Sequence, residues 1–143
     1  MEELISPEEA FRIVKNQFPH LQDESVSLAS SSGRELAENI YSDRDQPPFH
    51  RVMMDGYAFQ IAAWEKGIRE FYVEGIQAAG EAPLTLKDEN GCIEIMTGAV
   101  LPNDCSVVIQ YEKSIRKDNS VQFQIEELKH FQNVHAKGFD KKL

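Results

Sequence analysis

The sequence predicts an α+β protein, in which an N-terminal helical and extended segment precedes a small antiparallel β-rich unit of barrel or sandwich type. Three observations predict it. A capped amphipathic helix pattern opens the chain, the prolines Pro47 and Pro48 interrupt it, and beyond Gly56 short β-forming stretches alternate with turn residues. The division this suggests is a segment over 1–44 and a β-rich unit over 45–143, with residues 133–143 assignable to either.

The first element is a helix from about Pro7 to Phe18. Ser6 suits the N-cap, Pro7 the first helical position and Glu9 the capping-box position, while Ala10, Phe11, Val14 and Phe18 recur at helical spacing until Pro19. That stripe needs a partner surface, from a second subunit or a further domain. Ser25 to Leu28 alternates weakly. Ser30-Ser31-Ser32-Gly33 breaks it, and Arg34 to Asn39 reads as a short helical stretch leading into Ile40 and Tyr41. Pro47-Pro48 then imposes extended or turn geometry, because each ring fixes φ and Gln46 is pushed away from the helical region.

Five strands follow, at Tyr57 to Phe59, Phe71 to Ile76, Cys92 to Met96, Val107 to Tyr111 and Val121 to Ile125, with a short helix over Ala62 to Lys66. Phe71 and Val73 alternate with Tyr72 and Glu74, and Val121, Phe123 and Ile125 alternate with glutamines, the pattern of half-buried antiparallel strands. A last strand is expected around Asn133 to His135, before a charged tail.

The composition excludes several classes of function. With 24 acidic and 15 basic residues the net charge is -9, so the overall field opposes nucleic acid and anionic membrane, and any anionic ligand must be captured locally. No apolar run reaches bilayer length. The acidic start, Met1-Glu2-Glu3, lacks the basic and apolar regions of a secretory signal, which sets a cytoplasmic expectation. Cys92 and Cys105, the two cysteines, suit reduced, buried packing better than a disulfide framework or a thiolate zinc site.

Three ordered blocks are more specific. Gly33 to Ile40, Asp45-Gln46-Pro47-Pro48-Phe49 and Met54-Asp55-Gly56-Tyr57-Ala58 form the first. Ile95-Met96-Thr97-Gly98-Ala99-Val100-Leu101-Pro102, preceded by Gly75 and Ala79-Gly80 and continued through Asp104 to Glu112, forms the second. Asn133-Val134 with Gly138-Phe139-Asp140 forms the third. Together they resemble the signatures of the MoeA-type molybdopterin molybdotransferases, a pattern shared by the corresponding domain of gephyrin. The resemblance covers the N-terminal and linker region of that family and nearly the whole of this chain. It implies an elongated segment with an inserted β-rich domain, a homodimer, and a pterin-binding domain supplied by the same or another chain.

Asp55-Gly56 has two readings. From its residues it is a tight turn with glycine at positive φ; by resemblance Asp55 is an acid lining the active-site cleft and a ligand for Mg²⁺, which prefers oxygen donors. Thr97-Gly98 is a strand end with a glycine turn, or by resemblance a catalytic threonine beside an unshielded backbone N–H that approaches an oxyanion. Asp140 corresponds to the aspartate of the family's Gly-Glu-Asp motif and is the second expected Mg²⁺ ligand. The resemblance thus implies Asp55, Thr97 and Asp140 as catalytic residues, Gly56 and Gly98 as cofactor contacts, and Asp55 and Asp140 as metal ligands. His50 and Arg51, near Asp55, read as a solvated or packed pair, and His20, His130 and His135 show no ligand spacing.

The resemblance implies a Mg²⁺-dependent enzyme that inserts molybdate into adenylylated molybdopterin. Without the pterin-binding domain the chain is expected to be inactive alone. Val52, Met53 and Phe139 depart from the family pattern, Phe139 standing where glutamate is usual. Those departures favour the alternative, a non-catalytic dimerisation or scaffolding module of the same fold.

Overall fold

The computed structural model describes residues 4–17 and 22–142, in two compact units, Met1–Ile40 and Tyr41–Leu143. In the first unit, α1 spans Pro7–Gln17. The Ser6 hydroxyl accepts the Glu9 amide proton at 3.1 Å, as the cap predicts, while the Glu9 carboxylate turns to Arg12 at 2.6 Å rather than back to the cap. Phe18, at the end of the predicted helix, lies outside the described residues. None of the residues of α1 is buried, and Phe11, Ile13 and Val14 are exposed.

The helical stretch expected over Arg34 to Asn39 is absent; a single 3-10 turn, Leu28–Ser30, stands just before it. Six residues make too few helical hydrogen bonds to offset nucleation without a packing surface. Leu36 and Ile40 are exposed. Gly33, at φ +80, redirects the chain, and the Arg34 guanidinium caps the Ser30 carbonyl at 3.1 Å and pairs with Glu24.

The second unit is built on strands β1 (Arg51–Val52), β2 (Gly56–Phe59), β3 (Glu70–Gln77), β4 (Gly91–Ile95), β5 (Val107–Gln110), β6 (Ser114–Lys117), β7 (Ser120–Phe123) and β8 (Val134–His135), with helix α2 at Ile61–Glu65. Six strands form one sheet in the order β5-β2-β4-β3-β7-β6, and β1 pairs with β8 in a two-stranded sheet. The α+β class predicted from sequence is the class observed. The β-rich unit is mixed, however: β3 and β4 run parallel, and the other pairs are antiparallel. The connection 78–90 returns the chain as a crossover of about a dozen residues, the length a parallel pair requires. It is pinned where Asn103 N donates to Leu84 O at 2.8 Å and Leu86 N donates to Asn103 O at 3.2 Å.

Alternation along the strands feeds two apolar clusters. On β2, Ala58 joins Ile93, Ile95, Leu101, Val108 and Val134, while Tyr57 and Phe59 join Trp64, Phe71, Val107, Val121 and Phe123. All four residues of β2 are therefore buried, as expected of a central strand covered on both faces. Phe123 stacks on Phe59 at 4.8 Å and lies 5.4 Å from Phe71, and Arg69 sits 3.8 Å above the Trp64 ring. Cys92 and Cys105 are buried and free, as expected of packing residues.

Candidate functional site

The register of β2 against β4 pairs Gly56 with Ile95 and Tyr57 with Glu94, which brings the residue before β2 beside the residues that follow β4. There the Thr97 backbone amide donates to Asp55 Oδ1 at 2.6 Å. That amide, and next the Thr97 side chain, hold the exposed Asp55 carboxyl below the usual carboxylate range against a smaller opposing effect of burial.

The two glycines have backbone roles. Gly56 is not at positive φ, contrary to the tight-turn reading; it opens β2, and a Cβ there would lie 2.0 Å from the Ile109 carbonyl oxygen. Its lack of a side chain lets β2 and β5 close up. Gly98, at φ +87, does take the left-handed conformation, in a turn closed by Ala99 N donating to Met96 O at 3.1 Å. The Gly98 amide donates to Val52 O at 2.9 Å, and Val52 N donates to Ala99 O at 2.9 Å. The expectation of an unshielded N–H at this turn is corrected accordingly: both the Thr97 and Gly98 amides are spent inside the fold. The outward chemistry falls to the Asp55 carboxylate and the Thr97 hydroxyl.

Asp140 is placed by a different set of contacts. Residues 45–52 and 134–141 run against each other: Gln46 N donates to Lys141 O at 2.8 Å, Gly138 N to Pro47 O at 2.9 Å and Asp140 N to Gln46 O at 2.9 Å. The Gln46-Pro47 peptide bond is cis, in keeping with the turn geometry expected of the proline pair. Within the two-stranded sheet Arg51 faces His135 and Val52 faces Val134. Val52 and Val134 enter the core, while His135 Nε2 lies 3.0 Å from Asp140 Oδ1 and His135 Nδ1 lies 3.1 Å from Arg51 Nη2. Since a guanidinium only donates, this geometry puts the ring proton on Nε2, where it donates to the carboxylate.

The structure therefore brings Asp55, Gly56, Thr97 and Gly98 together, and holds Asp140 through His135 and Arg51. Sequence reading missed the partnership of Arg51 with His135, whose members are 84 positions apart. The only sequence signal for it was that His135 falls on a short stretch expected to be a strand. His50 is a packing residue, as expected: its Nδ1 accepts the Lys137 amide proton at 3.1 Å and its ring lies 4.7 Å from Phe131.

A second cluster flanks Asp55. The Tyr111 amide donates to the Asp55 carbonyl at 3.3 Å, and the Tyr111 hydroxyl donates to Glu94 Oε1 at 2.8 Å. Arg116 Nη1 meets Glu94 Oε2 at 2.7 Å, so both oxygens of Glu94 are engaged. Burial, then the bond to Glu94, pushes the Tyr111 phenol up and keeps it a neutral donor.

Among the described residues no group of three or more His, Cys, Asp or Glu side chains could enclose a metal ion. Asp55 and Asp140 are single exposed carboxylates, each with one oxygen already hydrogen bonded. Each alone is a donor of the kind Mg²⁺ takes, since that ion is held by one or two carboxylates and completes its shell with water and substrate phosphate. Among the described residues no helix is long and apolar enough to cross a membrane.

Comparison with known proteins adds family-level findings. The family described as MoeA N-terminal region (domain I and II) matches residues 5–142. The molybdopterin molybdenumtransferase of Synechocystis sp. is 43% identical over 118 residues, which is 82% of this chain and 30% of that protein. The Staphylococcus epidermidis molybdopterin molybdenumtransferase is 30% identical over 139 residues, 94% of this chain and 33% of its own length. A molybdopterin biosynthesis MoeA protein of Pyrococcus horikoshii, solved as a crystal structure, superposes with a TM-score of 0.82 at 27% identity, covering 98% of this chain and 38% of that one. The chain thus spans about a third of the length of the relatives it matches.

Proposed function

Because the chain belongs to the family of MoeA N-terminal regions, domains I and II, we propose that it forms one wall of a composite site that inserts molybdate into adenylylated molybdopterin. The observation that carries this reading is the bond between the Thr97 amide and the Asp55 carboxylate, which sets an ionised acid, just before β2, beside the Thr97 hydroxyl on the exposed turn after β4. The pterin-binding wall comes from the same or another chain, within a homodimer in the cytoplasm. Alone, the chain does not turn over.

Asp55 and Asp140 would hold Mg²⁺ through the carboxylate oxygens that Thr97 and His135 leave over, with water and the substrate's phosphate completing its shell. When bound, the ion supplies charge neutralisation for the phosphate and molybdate oxygens. The chain's own residues perform the positioning. Thr97 fixes the Asp55 carboxylate through its amide, and its hydroxyl, which favours the same carboxylate in this structure, would rotate to an oxyanion when one is bound, while His135 orients Asp140. Gly98 gives the turn its left-handed bend, and Gly56 lets β2 close on β5, the strand that leads into Tyr111.

A non-catalytic dimerisation or scaffolding module is the second reading. The observation favouring it is Phe139, 75% exposed where the family has glutamate, together with the half-exposed Met53. Two experiments test the metal site and the composite site. Isothermal titration of the purified chain with Mg²⁺ should show binding that Asp55→Asn removes; no binding by the unmodified chain counts against the metal site. Incubation of the chain alone with adenylylated molybdopterin, molybdate and Mg²⁺ should give no product, and turnover would refute the composite site.

A further inference from the structure

Gln77 is the one non-aromatic polar side chain that is buried among the described residues, and it is fully buried. It ends β3, beside Ile95 at the end of β4. Its backbone carbonyl accepts the Met96 amide proton at 3.3 Å. Its side-chain Nε2 donates to the Val100 carbonyl at 2.6 Å, and its Oε1 accepts the Leu84 amide proton at 2.7 Å. One residue thus grips both ends of the Met96 to Val100 segment, the segment whose middle carries Thr97 and Gly98.

We infer that Gln77 is a positioning residue: it sets the span of the Met96 to Val100 turn, and so the place from which the Thr97 amide reaches Asp55. Three features support this over plain core packing. A buried amide is costly unless satisfied, so an apolar residue would fill the same space at less risk to the fold. Both of its bonds go to backbone atoms outside any strand, where no ladder would otherwise hold them. The opposite side of the turn is tied to β1, through Gly98 N to Val52 O and Val52 N to Ala99 O. With Gln77 on one side and Val52 on the other, the turn is held from two directions, and Thr97 has one position relative to Asp55.

The consequence for catalysis rests on the proposed function; the positioning itself does not. Nuclear magnetic resonance of the ¹⁵N-labelled chain tests it. The Thr97 amide proton should resonate downfield because of its short bond to a carboxylate, and Asp55→Asn should move it upfield. Gln77→Met, which keeps the volume and loses both side-chain bonds, should move it in the same direction. It should also raise hydrogen exchange at Thr97 and Gly98 at least about tenfold over Phe123→Leu, a variant that loosens the other cluster. An unchanged Thr97 resonance in folded Gln77→Met, or exchange no faster than in Phe123→Leu, overturns the inference. Should Gln77→Met fail to fold, exchange in the unmodified chain decides: the Gln77 side-chain protons and the Thr97 amide should open together, and Thr97 opening while the Gln77 amide stays protected overturns it. Absence of Mg²⁺ binding would sink the metal reading and leave these resonances unaffected.

Discussion

The Thr97 amide donates to the Asp55 carboxylate at 2.6 Å, joining positions 42 residues apart. The bond follows from the register of β2 on β4: once Gly56 faces Ile95, the residue before one strand must meet the turn that ends the other. An acid and a hydroxyl that are unremarkable in their own segments thereby become one site.

That bond makes stability depend on pH with a definite sign. The folded Asp55 carboxyl is held below its ordinary value of 3.8 by the Thr97 amide and side chain, so folding favours the ionised form. The contribution is fully present above the unfolded value and is lost as pH falls through the folded one. Urea midpoints of the chain and of Asp55→Asn should differ by a constant amount at and above about pH 5, and the gap should narrow from there toward pH 2. A gap that stays the same down to pH 2 would show that Asp55 gains nothing from Thr97.

Gly56 and Gly98 should respond differently to alanine. At Gly56 the added Cβ would fall 2.0 Å from the Ile109 carbonyl oxygen, so the β2–β5 pair must separate. We expect a loss of about 3 kcal/mol or more, at the upper end for single substitutions. At Gly98 the cost is the left-handed backbone alone, about 1–2 kcal/mol, since the nearest atom is a methyl group 3.8 Å away. Thermal unfolding should rank Gly98→Ala above Gly56→Ala in stability, and the reverse order would contradict both assignments.

The β-rich unit was legible because its strands carry a local signal. Phe71 and Val121 alternate with polar neighbours, and Val107 to Ile109 is an unbroken apolar run. β1 and β6 were missed because Arg51–Val52 and Ser114–Lys117 owe their extended form to partners, β8 and β7, rather than to their own composition. The parallel β3–β4 pair was hidden for a similar reason: strand direction is settled by where the crossover over 78–90 lands. The same limit applies to the site. Asp55, Thr97 and Asp140 were visible as motif residues, whereas Gln77, Arg51 and His135 acquire their roles through contacts that no spacing announces.

The two thiols should be inert in the folded chain. Burial, followed by the charge of Glu74, pushes Cys92 up to about 12, and burial raises Cys105 further. The thiolate is the nucleophile, so neither should react with a disulfide reagent at pH 8. In urea both should react at once, with two equivalents of thiol released. Fast reaction of one thiol in the native chain would mean that its strand opens locally.

Asp140 offers the sharpest test of how far the metal reading extends. Its carboxylate is oriented by His135, which Arg51 in turn holds in the tautomer with the proton on Nε2. If Asp140 shares the ion with Asp55, Asp140→Asn should weaken Mg²⁺ binding strongly. His135→Ala, which leaves the carboxylate in place but unoriented, should weaken it by about three- to tenfold, at or below the low end for residues that orient a ligand, because Asp140 is exposed. Arg51→Ala should act in the same direction with a smaller effect, since it reaches the carboxylate only through the imidazole. Titration calorimetry on the three variants gives the order directly. Unaltered affinity in Asp140→Asn, beside its loss in Asp55→Asn, would remove Asp140 from the metal and leave the Arg51–His135–Asp140 chain as a clasp between residues 45–52 and 134–141.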